Sequence, residues 1–349
     1  MKRIRVLIVE DSAVVREHLK RIIAADRRLE VAGAVATAEE ALEVLEEIAP
    51  DVISMDVRLP GIQGLDATRQ IMARRPTPIV VVSAVEPGEM NLTMEAFKAG
   101  ALAVVEKPPA VTQAGYDAVA CRLCTQLAIM SEVVVVRQQA VRPRPVQAPD
   151  GCCRRGNYRI VGMAASTGGP NALMQVLGSL GSGFPLPVLL VQHMEPSFVV
   201  GFGSWLAGVT GLKLEIVDRR MELAPGTLYL AAPDRHLVTD GSWAWAQDGE
   251  RVSSHRPSAS VLFEAMALHV GQAAIGILLT GMGEDGAQGL RQLRLAGGYT
   301  VAEHQSTAVV YGMPAAAVRL GAACESLALH DVAPRLMKLA GGDSQDPSS

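Results

Sequence analysis

A chain of two doubly wound α/β domains is what the sequence predicts, and three observations carry that expectation. Short apolar, β-branched runs alternate with helix-period stretches in both halves, the pattern of parallel strands joined by crossover helices. Hydrophobic residues make up 49% of the chain and aromatics only 4%, which suits layers built from Ala, Val, Leu and Ile. The 349 residues exceed one ordinary core, and the alternation breaks between residues 137 and 157.

In the first half the predicted strands are Ile4–Val9, Glu30–Val35, Asp51–Met55, Pro78–Val82 and Ala101–Val105. Between them lie helical stretches at Ala13–Ala25, Thr37–Ala49, Gly64–Arg75 and Glu89–Ala99, and a fifth runs over Val111–Val136. Arg142-Pro143-Arg144-Pro145 and Ala148-Pro149-Asp150-Gly151 then exclude regular helix or central strand. The second half offers strands at Tyr158–Met163, Pro187–Gln192, Lys213–Val217, Thr227–Ala231, His236–Thr239, Ala274–Thr280 and Tyr299–Ala302. The expected organisation is therefore domain 1–136, linker 137–157, domain 158–340 and a loose polar tail 341–349.

Composition excludes several classes. No apolar run reaches the roughly 18–20 residues that span a membrane. The start Met-Lys-Arg-Ile-Arg-Val leads straight into a strand and then acids, unlike a signal peptide. A net charge of −4 argues against a general nucleic-acid binder. The five cysteines, Cys121, Cys124, Cys152, Cys153 and Cys324, are expected to be inert reduced thiols. Cys121-x-x-Cys124 has no second pair at metal spacing, and adjacent Cys152-Cys153 is poor chelate geometry.

Ligands of doubly wound sheets sit beyond the carboxyl ends of the strands. In the first half those ends carry Glu10 and Asp11, then Asp56, Ser83 and Lys107. Three carboxylates at one edge repel unless a cation joins them, and Mg²⁺ with oxygen ligands resolves that conflict. A lysine and a hydroxyl beside such a site can hold a phosphoryl group, so the parts suit phosphoryl transfer onto Asp56.

Val9-Glu10-Asp11-Ser12, Asp56-Val57-Arg58-Leu59-Pro60-Gly61, Ser83-Ala84 and Lys107-Pro108 make residues 3 to about 130 resemble the receiver domain of two-component response regulators. The resemblance implies a flavodoxin-like fold with Asp56 as phospho-acceptor. It implies Glu10, Asp11 and Asp56 at Mg²⁺, Ser83 and Lys107 as phosphoryl sensors, and a cis Lys107-Pro108 peptide. Val104 stands where that family often has an aromatic switch residue.

In the second half a β-branched run stops at Val161-Gly162-Met163-Ala164-Ala165-Ser166-Thr167-Gly168-Gly169-Pro170 and a glycine-rich turn begins. Such a turn can present one hydroxyl, Ser166, at the open edge of a sheet. A serine needs a base. His193 ends the following strand, and neighbouring strand ends lie about 5 Å apart. The base needs an orienting carboxylate, and Thr280-Gly281-Met282-Gly283-Glu284-Asp285-Gly286 supplies two candidates. Asp285 is preferred because it can start the helix at Ala287–Leu295 and point back; Glu284 is the alternative. The Met282 N–H is a candidate oxyanion donor, a role worth about 3–4 kcal/mol. The order Ser, His, Asp differs from that of α/β-hydrolases, and the serine turn is not a G-x-S-x-G elbow. Triads are judged by geometry.

Ala165-Ser166-Thr167-Gly168-Gly169-Pro170, Gln192-His193-Met194, His255-Arg256-Pro257-Ser258, Leu279 to Gly286 and Val309-Val310-Tyr311-Gly312-Met313-Pro314 make residues 158 to about 335 resemble the chemotaxis protein-glutamate methylesterases. The resemblance implies a Rossmann-like catalytic domain with Ser166 as nucleophile, His193 as base, Asp285 as orienter and Met282 as oxyanion donor. Thr167 and His255 become cleft residues with lesser roles.

The implied function is phosphorylation-activated hydrolysis of glutamate γ-methyl esters, together with glutamine deamidation. Methyl-accepting chemoreceptors would be the substrate and a chemotaxis histidine kinase the phosphodonor. No cofactor serves the esterase half. The implied location is cytoplasmic, at membrane receptor arrays, without direct membrane insertion. Control is expected from the receiver half masking the cleft until Asp56 is phosphorylated. Two other readings stand beside this one. A response regulator with a non-catalytic, partner-binding output domain would not need Ser166, His193 and Asp285 together. A nucleotide-binding α/β domain lacks its Walker lysine and full glycine pattern here.

Overall fold

The structure is a computed structural model that describes residues 2–84, 87–109, 115–133 and 157–341. It divides into two compact units, Met1–Ala140 and Val141–Ser349.

The first unit alternates β1 (Ile4–Val9), α1 (Ala13–Ala25), β2 (Leu29–Val35), α2 (Ala38–Ile48), β3 (Val52–Asp56), α3 (Gly64–Arg74), β4 (Ile79–Ser83), α4 (Pro87–Ala99), β5 (Ala103–Glu106) and α5 (Tyr116–Ser131). The expected helix over 111–136 is observed only from 116 to 131, and its outer parts at 111–114 and 134–136 lie outside the described residues. Ser12 and Thr37 start α1 and α2 by accepting the Val15 and Glu40 N–H groups on their hydroxyls. The five strands are parallel in the order β2-β1-β3-β4-β5. β3 and β4 are buried throughout, as strands covered on both faces must be. The register Val9↔Met55 brings the ends of β1 and β3 together, and Asp56↔Val82 and Ser83↔Glu106 continue that edge. Gly64 is required at the start of α3, because a Cβ there would collide with the Asp56 carbonyl oxygen. One expectation is corrected. Among the described residues the cis peptide joins Arg256 to Pro257, and Lys107-Pro108 is not cis.

The second unit runs β6 (Ile160–Ala165), α6 (Gly169–Leu180), β7 (Val188–Gln192), α7 (Val199–Thr210), β8 (Lys213–Val217), β9 (Met221–Glu222), β10 (Thr227–Ala231), β11 (His236–Thr239), β12 (Trp243–Gln247), α8 (Ala259–His269), β13 (Ala274–Leu278), α9 (Ala287–Leu295), β14 (Tyr299–Glu303), α10 (Met313–Arg319), β15 (Glu325–Leu327) and α11 (Leu329–Ala340). Seven parallel strands stand in the order β15-β14-β13-β6-β7-β10-β8. The chain winds outward from β6 through β7 in one direction and from β13 through β14 in the other. The reversal point therefore lies between β6 and β13, where open α/β sheets form their crevice. Gly162 and Gly276 face each other across these strands, and a side chain at either would run into Met266 or Leu290 of the helices above.

The plan is not doubly wound throughout. His236–Thr239 is a strand as expected, but it joins β12 and β9 in a separate three-stranded antiparallel sheet. β12 alternates exposed and buried residues through Trp243-Ala244-Trp245-Ala246, the period of a half-covered strand. Cys121 and Cys124 carry free thiols, and burial pushes the Cys124 thiol up to about 11, which leaves it unreactive. Cys324 is disulfide-bonded, which corrects the expectation of a reduced thiol there. Cys152 and Cys153 lie outside the described residues.

Candidate active site

Strand register sets the site. β6 pairs with β7 up to Ala165↔Gln192 and with β13 up to Ala164↔Leu278. Ser166, His193 and Thr280 therefore leave three adjacent strands at nearly one level. The His193 N–H donates to the Ala165 carbonyl at 3.0 Å, and the Ser166 N–H donates to Thr280 O at 3.0 Å. The Gln192 amide donates to the carbonyls of both Ser166 and His193, each at 2.9 Å. Gly281 passes so close that a Cβ there would lie 2.8 Å from the Ser166 Cβ.

The acid comes from the loop after β13. His193 Nε2 lies 2.9 Å from Asp285 Oδ2, with the imidazole 7% and the carboxylate 0% exposed. The contact is short but not aligned as a hydrogen bond, and His193 Nδ1 is buried without a partner among the described residues. Asp285 also sits on the N-terminus of α8. It accepts from Ser258 Oγ at 2.7 Å, from the Ala259 N–H at 2.7 Å and from the Ser260 N–H at 3.2 Å. Burial alone would raise this carboxyl, but His193, Ser258 and the helix N–H groups outweigh it and hold the pKa well below the ordinary carboxylate range. Glu284 is exposed and pairs with Arg319 at 2.5 Å, so of the two acids Asp285 is the one that faces the imidazole.

His255 and Thr167 contact residues at the same strand ends. The His255 ring stacks on His193 with centroids 3.9 Å apart and planes 2° from parallel. Burial, reinforced by neighbouring His193, pushes the His255 pKa down to about 4, so this ring is neutral at pH 7. Met282 is 48% exposed, and its N–H donates to no acceptor among the described residues. Thr167 accepts the Thr280 hydroxyl on its carbonyl at 2.9 Å. Sequence reasoning gave no role to Gln192, Ser258 or Thr280. Ser258 carried a usable signal, a serine directly before a helix, which is the pattern of an N-cap.

The first unit gathers a second cluster. Lys107 Nζ lies 2.8 Å from Asp56 Oδ2 and 3.1 Å from Glu10 Oε2. Glu10, Asp11 and Asp56 offer oxygens within 4.8 Å of one another. Ser83 Oγ is 2.8 Å from Thr93 Oγ1, and the Ser83 carbonyl accepts the Lys107 N–H. Burial, with Asp56 adding to it, pushes Glu10 up to about 7. Burial also raises Asp56 despite the pull of Lys107. For Lys107 burial acts against the charge, but Asp56 and Glu10 prevail and raise its pKa. Lys107 bridges two of the three carboxylates, Asp56 and Glu10, and Asp11 stands beside them at the exposed side of the cluster. An all-oxygen donor set of this kind fits Mg²⁺.

Comparison with known proteins assigns each unit to a family. Residues 161–336 match the CheB methylesterase family, and residues 6–114 match the response regulator receiver domain. A protein-glutamate methylesterase/protein-glutamine glutaminase of Paramagnetospirillum magneticum is 53% identical over 98% of this chain and 99% of its own length. One from Anaeromyxobacter dehalogenans is 42% identical over 95% of this chain and 98% of its own. Among solved structures, the Thermotoga maritima CheB methylesterase catalytic domain superposes with a TM-score of 0.50 at 30% identity, covering 52% of this chain and 98% of that one.

Proposed function

The chain belongs to the CheB methylesterase family, with a response regulator receiver domain ahead of the esterase, and from that premise we propose a phosphorylation-activated hydrolase of glutamate γ-methyl esters on chemoreceptors. It is an enzyme of the ester-hydrolase class that its relatives' names describe. The observation that carries the residue assignment is the 2.9 Å approach of His193 Nε2 to Asp285, at a strand end adjoining Ser166.

Asp285 stays ionised and fixes the imidazole with its proton on Nε2, which leaves the Nδ1 lone pair to take the Ser166 proton. Ser166 Oγ attacks the ester carbonyl carbon. The carbonyl oxygen gains negative charge and is met by the Met282 N–H, which donates to no backbone acceptor among the described residues. The tetrahedral adduct collapses, His193 returns the proton to the methoxy oxygen, and methanol leaves. Water, deprotonated by His193, then releases the glutamate and regenerates Ser166. A glutamine side chain entering the same way loses ammonia, which is the deamidase reaction. Neutral His255 stacked on His193 supports the ring without competing for its proton.

In the receiver unit, Asp56 accepts the phosphoryl group from a chemotaxis histidine kinase. Mg²⁺ held by Glu10, Asp11 and Asp56 would neutralise charge developing during that transfer. Lys107 and Ser83 would contact the new phosphoryl oxygens. Among the described residues no helix is long and apolar enough to cross a membrane. The proposed place of action is the cytoplasm, at receptor arrays.

Methanol release from purified methylated receptor tests the reading. The wild-type chain should release methanol, more so with a small-molecule phosphodonor, and Ser166→Ala should release essentially none. Undiminished release by Ser166→Ala would overturn it.

A further inference from the structure

Glu303 ends β14 and is wholly buried at the carboxyl edge of the seven-stranded sheet. The esterase chemistry above makes no use of it. A carboxyl in such a place is costly, and among the described residues no cation accompanies it. Its Oε2 accepts the Thr280 N–H at 2.8 Å, while Oε1 is buried without an aligned partner. The ladder explains why Thr280 needs this acceptor. β13 and β14 pair only as far as Leu278↔Ala302, so two residues later the backbone N–H has no strand carbonyl to meet.

Thr280 is a junction of the candidate site. Its carbonyl accepts the Ser166 N–H at 3.0 Å. Its hydroxyl donates to Thr167 O and accepts the Val310 N–H, both at 2.9 Å. Gly281 and Met282 follow directly in the chain. The bond to Glu303 fixes the one remaining hydrogen-bonding direction of this residue.

We propose that Glu303 is a positioning residue of the esterase, holding Thr280 so that the Ser166 turn and the Met282 N–H keep their reacting geometry. The inference rests on the methyl-ester hydrolysis reading. Burial pushes the Glu303 carboxyl up to about 7, against the Thr280 N–H and Thr307 that favour its charged form. A core residue kept only for packing would be apolar; the feature that matters here is the reach of one acceptor oxygen.

Reach is what the experiment varies. Full-length Glu303→Gln and Glu303→Asp are compared with wild type in steady-state methanol release from methylated receptor, with kcat referred to the folded fraction from thermal melts. Glutamine keeps an acceptor at the same reach, and its kcat should stay within about threefold of wild type. Aspartate keeps the charge but draws the acceptor back by one methylene. Its kcat should fall by about 10–100-fold, the scale of an ångström misplacement, with KM within about twofold. Wild-type kcat in the Asp variant, an equal loss in the Gln variant, or an effect confined to KM would each overturn the role. If the Asp variant does not fold, the Gln variant decides alone, and a tenfold loss there overturns the proposal. Wild type and Ser166→Ala run alongside. Failure of those two removes the esterase reading itself, whereas normal controls with an unaffected Asp variant remove only the role of Glu303.

Discussion

Asp56, the last residue of β3, and Asp285, in the loop after β13, are both buried beyond the carboxyl ends of parallel strands, yet burial prevails at one and not at the other. Around Asp56 stand two further acids, Glu10 and Asp11, with Lys107 between Asp56 and Glu10. Around Asp285 the neighbours are donors: a serine hydroxyl, two N–H groups at the start of α8, and an imidazole. The same topology thus yields a pocket crowded with carboxylates and a carboxylate surrounded by donors. Position at the sheet edge says where chemistry sits; the count of donors against acceptors says which chemistry it is.

The sharpest way to break that contrast is Asp285→Asn. An amide cannot hold the imidazole in the required tautomer, and an NH₂ group would face α8 N–H donors. We expect kcat in methanol release to fall by about 10³–10⁴-fold, in line with the loss of a triad acid. A loss under tenfold would remove Asp285 from the catalytic role.

The receiver pocket should respond to added charge of the opposite sign. Saturating Mg²⁺ should stabilise the first unit by about 2–3 kcal/mol when present at roughly a hundred times its Kd, seen as a rise in melting temperature. The effect should grow with pH. Glu10 has its folded pKa raised to about 7 from an ordinary 4.5, so below 7 protons compete with the ion for that carboxylate. Glu10→Gln should weaken the Mg²⁺ shift and flatten its pH dependence. In the same assay format, Asp56→Asn should abolish stimulation of methanol release by a phosphodonor.

Glu303 belongs with Glu10 rather than with Asp285, since its folded pKa is also raised to about 7 from 4.5. A raised carboxyl binds its proton more tightly folded than unfolded, so its contribution favours folding at low pH and fades as pH climbs from about 4.5 through 7. Glu303→Gln carries no such slope. Its stability relative to wild type should therefore improve between pH 5 and pH 8, by about 1–3 kcal/mol at most. Parallel stability curves for the two proteins would show that Glu303 does not titrate in this range.

Much of this contrast was legible before any coordinates. Alternation of apolar runs and helical stretches placed the strands, and the polar residues directly after them named Glu10, Asp56, Lys107, Ser166 and His193, because parallel sheets collect function at their carboxyl ends. What escaped was decided by pairing at long range. Glu303 looked like one residue past a strand, and only the register of β13 on β14 makes it the acceptor for Thr280. β9 has two residues and β15 three, too short for any periodicity to mark them. The antiparallel sheet escaped because His236–Thr239 alone does not reveal its partner, although the alternation in Trp243–Gln247 could have. Asp285 was preferred over Glu284 from its place before a helix, but the donors that hold its charge come from α8, which arrives from another part of the chain.

Ser258 gives the smallest test of the donor argument. Its hydroxyl donates to Asp285 Oδ1 at 2.7 Å and accepts the Ser260 N–H at 3.2 Å, so it serves the carboxylate and the start of α8 together. Ser258→Ala removes one of the three aligned hydrogen bonds to Asp285 and leaves the Ala259 and Ser260 N–H groups, and the His193 contact, in place. The loss of the cap should cost about 1 kcal/mol of stability. Asp285 has its folded pKa depressed, so its stabilising contribution is present above the unfolded value and is lost as pH falls through the folded one. With a donor gone the folded pKa rises, and the acid-unfolding midpoint should move to higher pH while the alkaline limb stays where it was. Methanol release should drop only severalfold, because the imidazole keeps its carboxylate. An acid midpoint identical to wild type would mean that the charge on Asp285 is held by α8 and His193 alone.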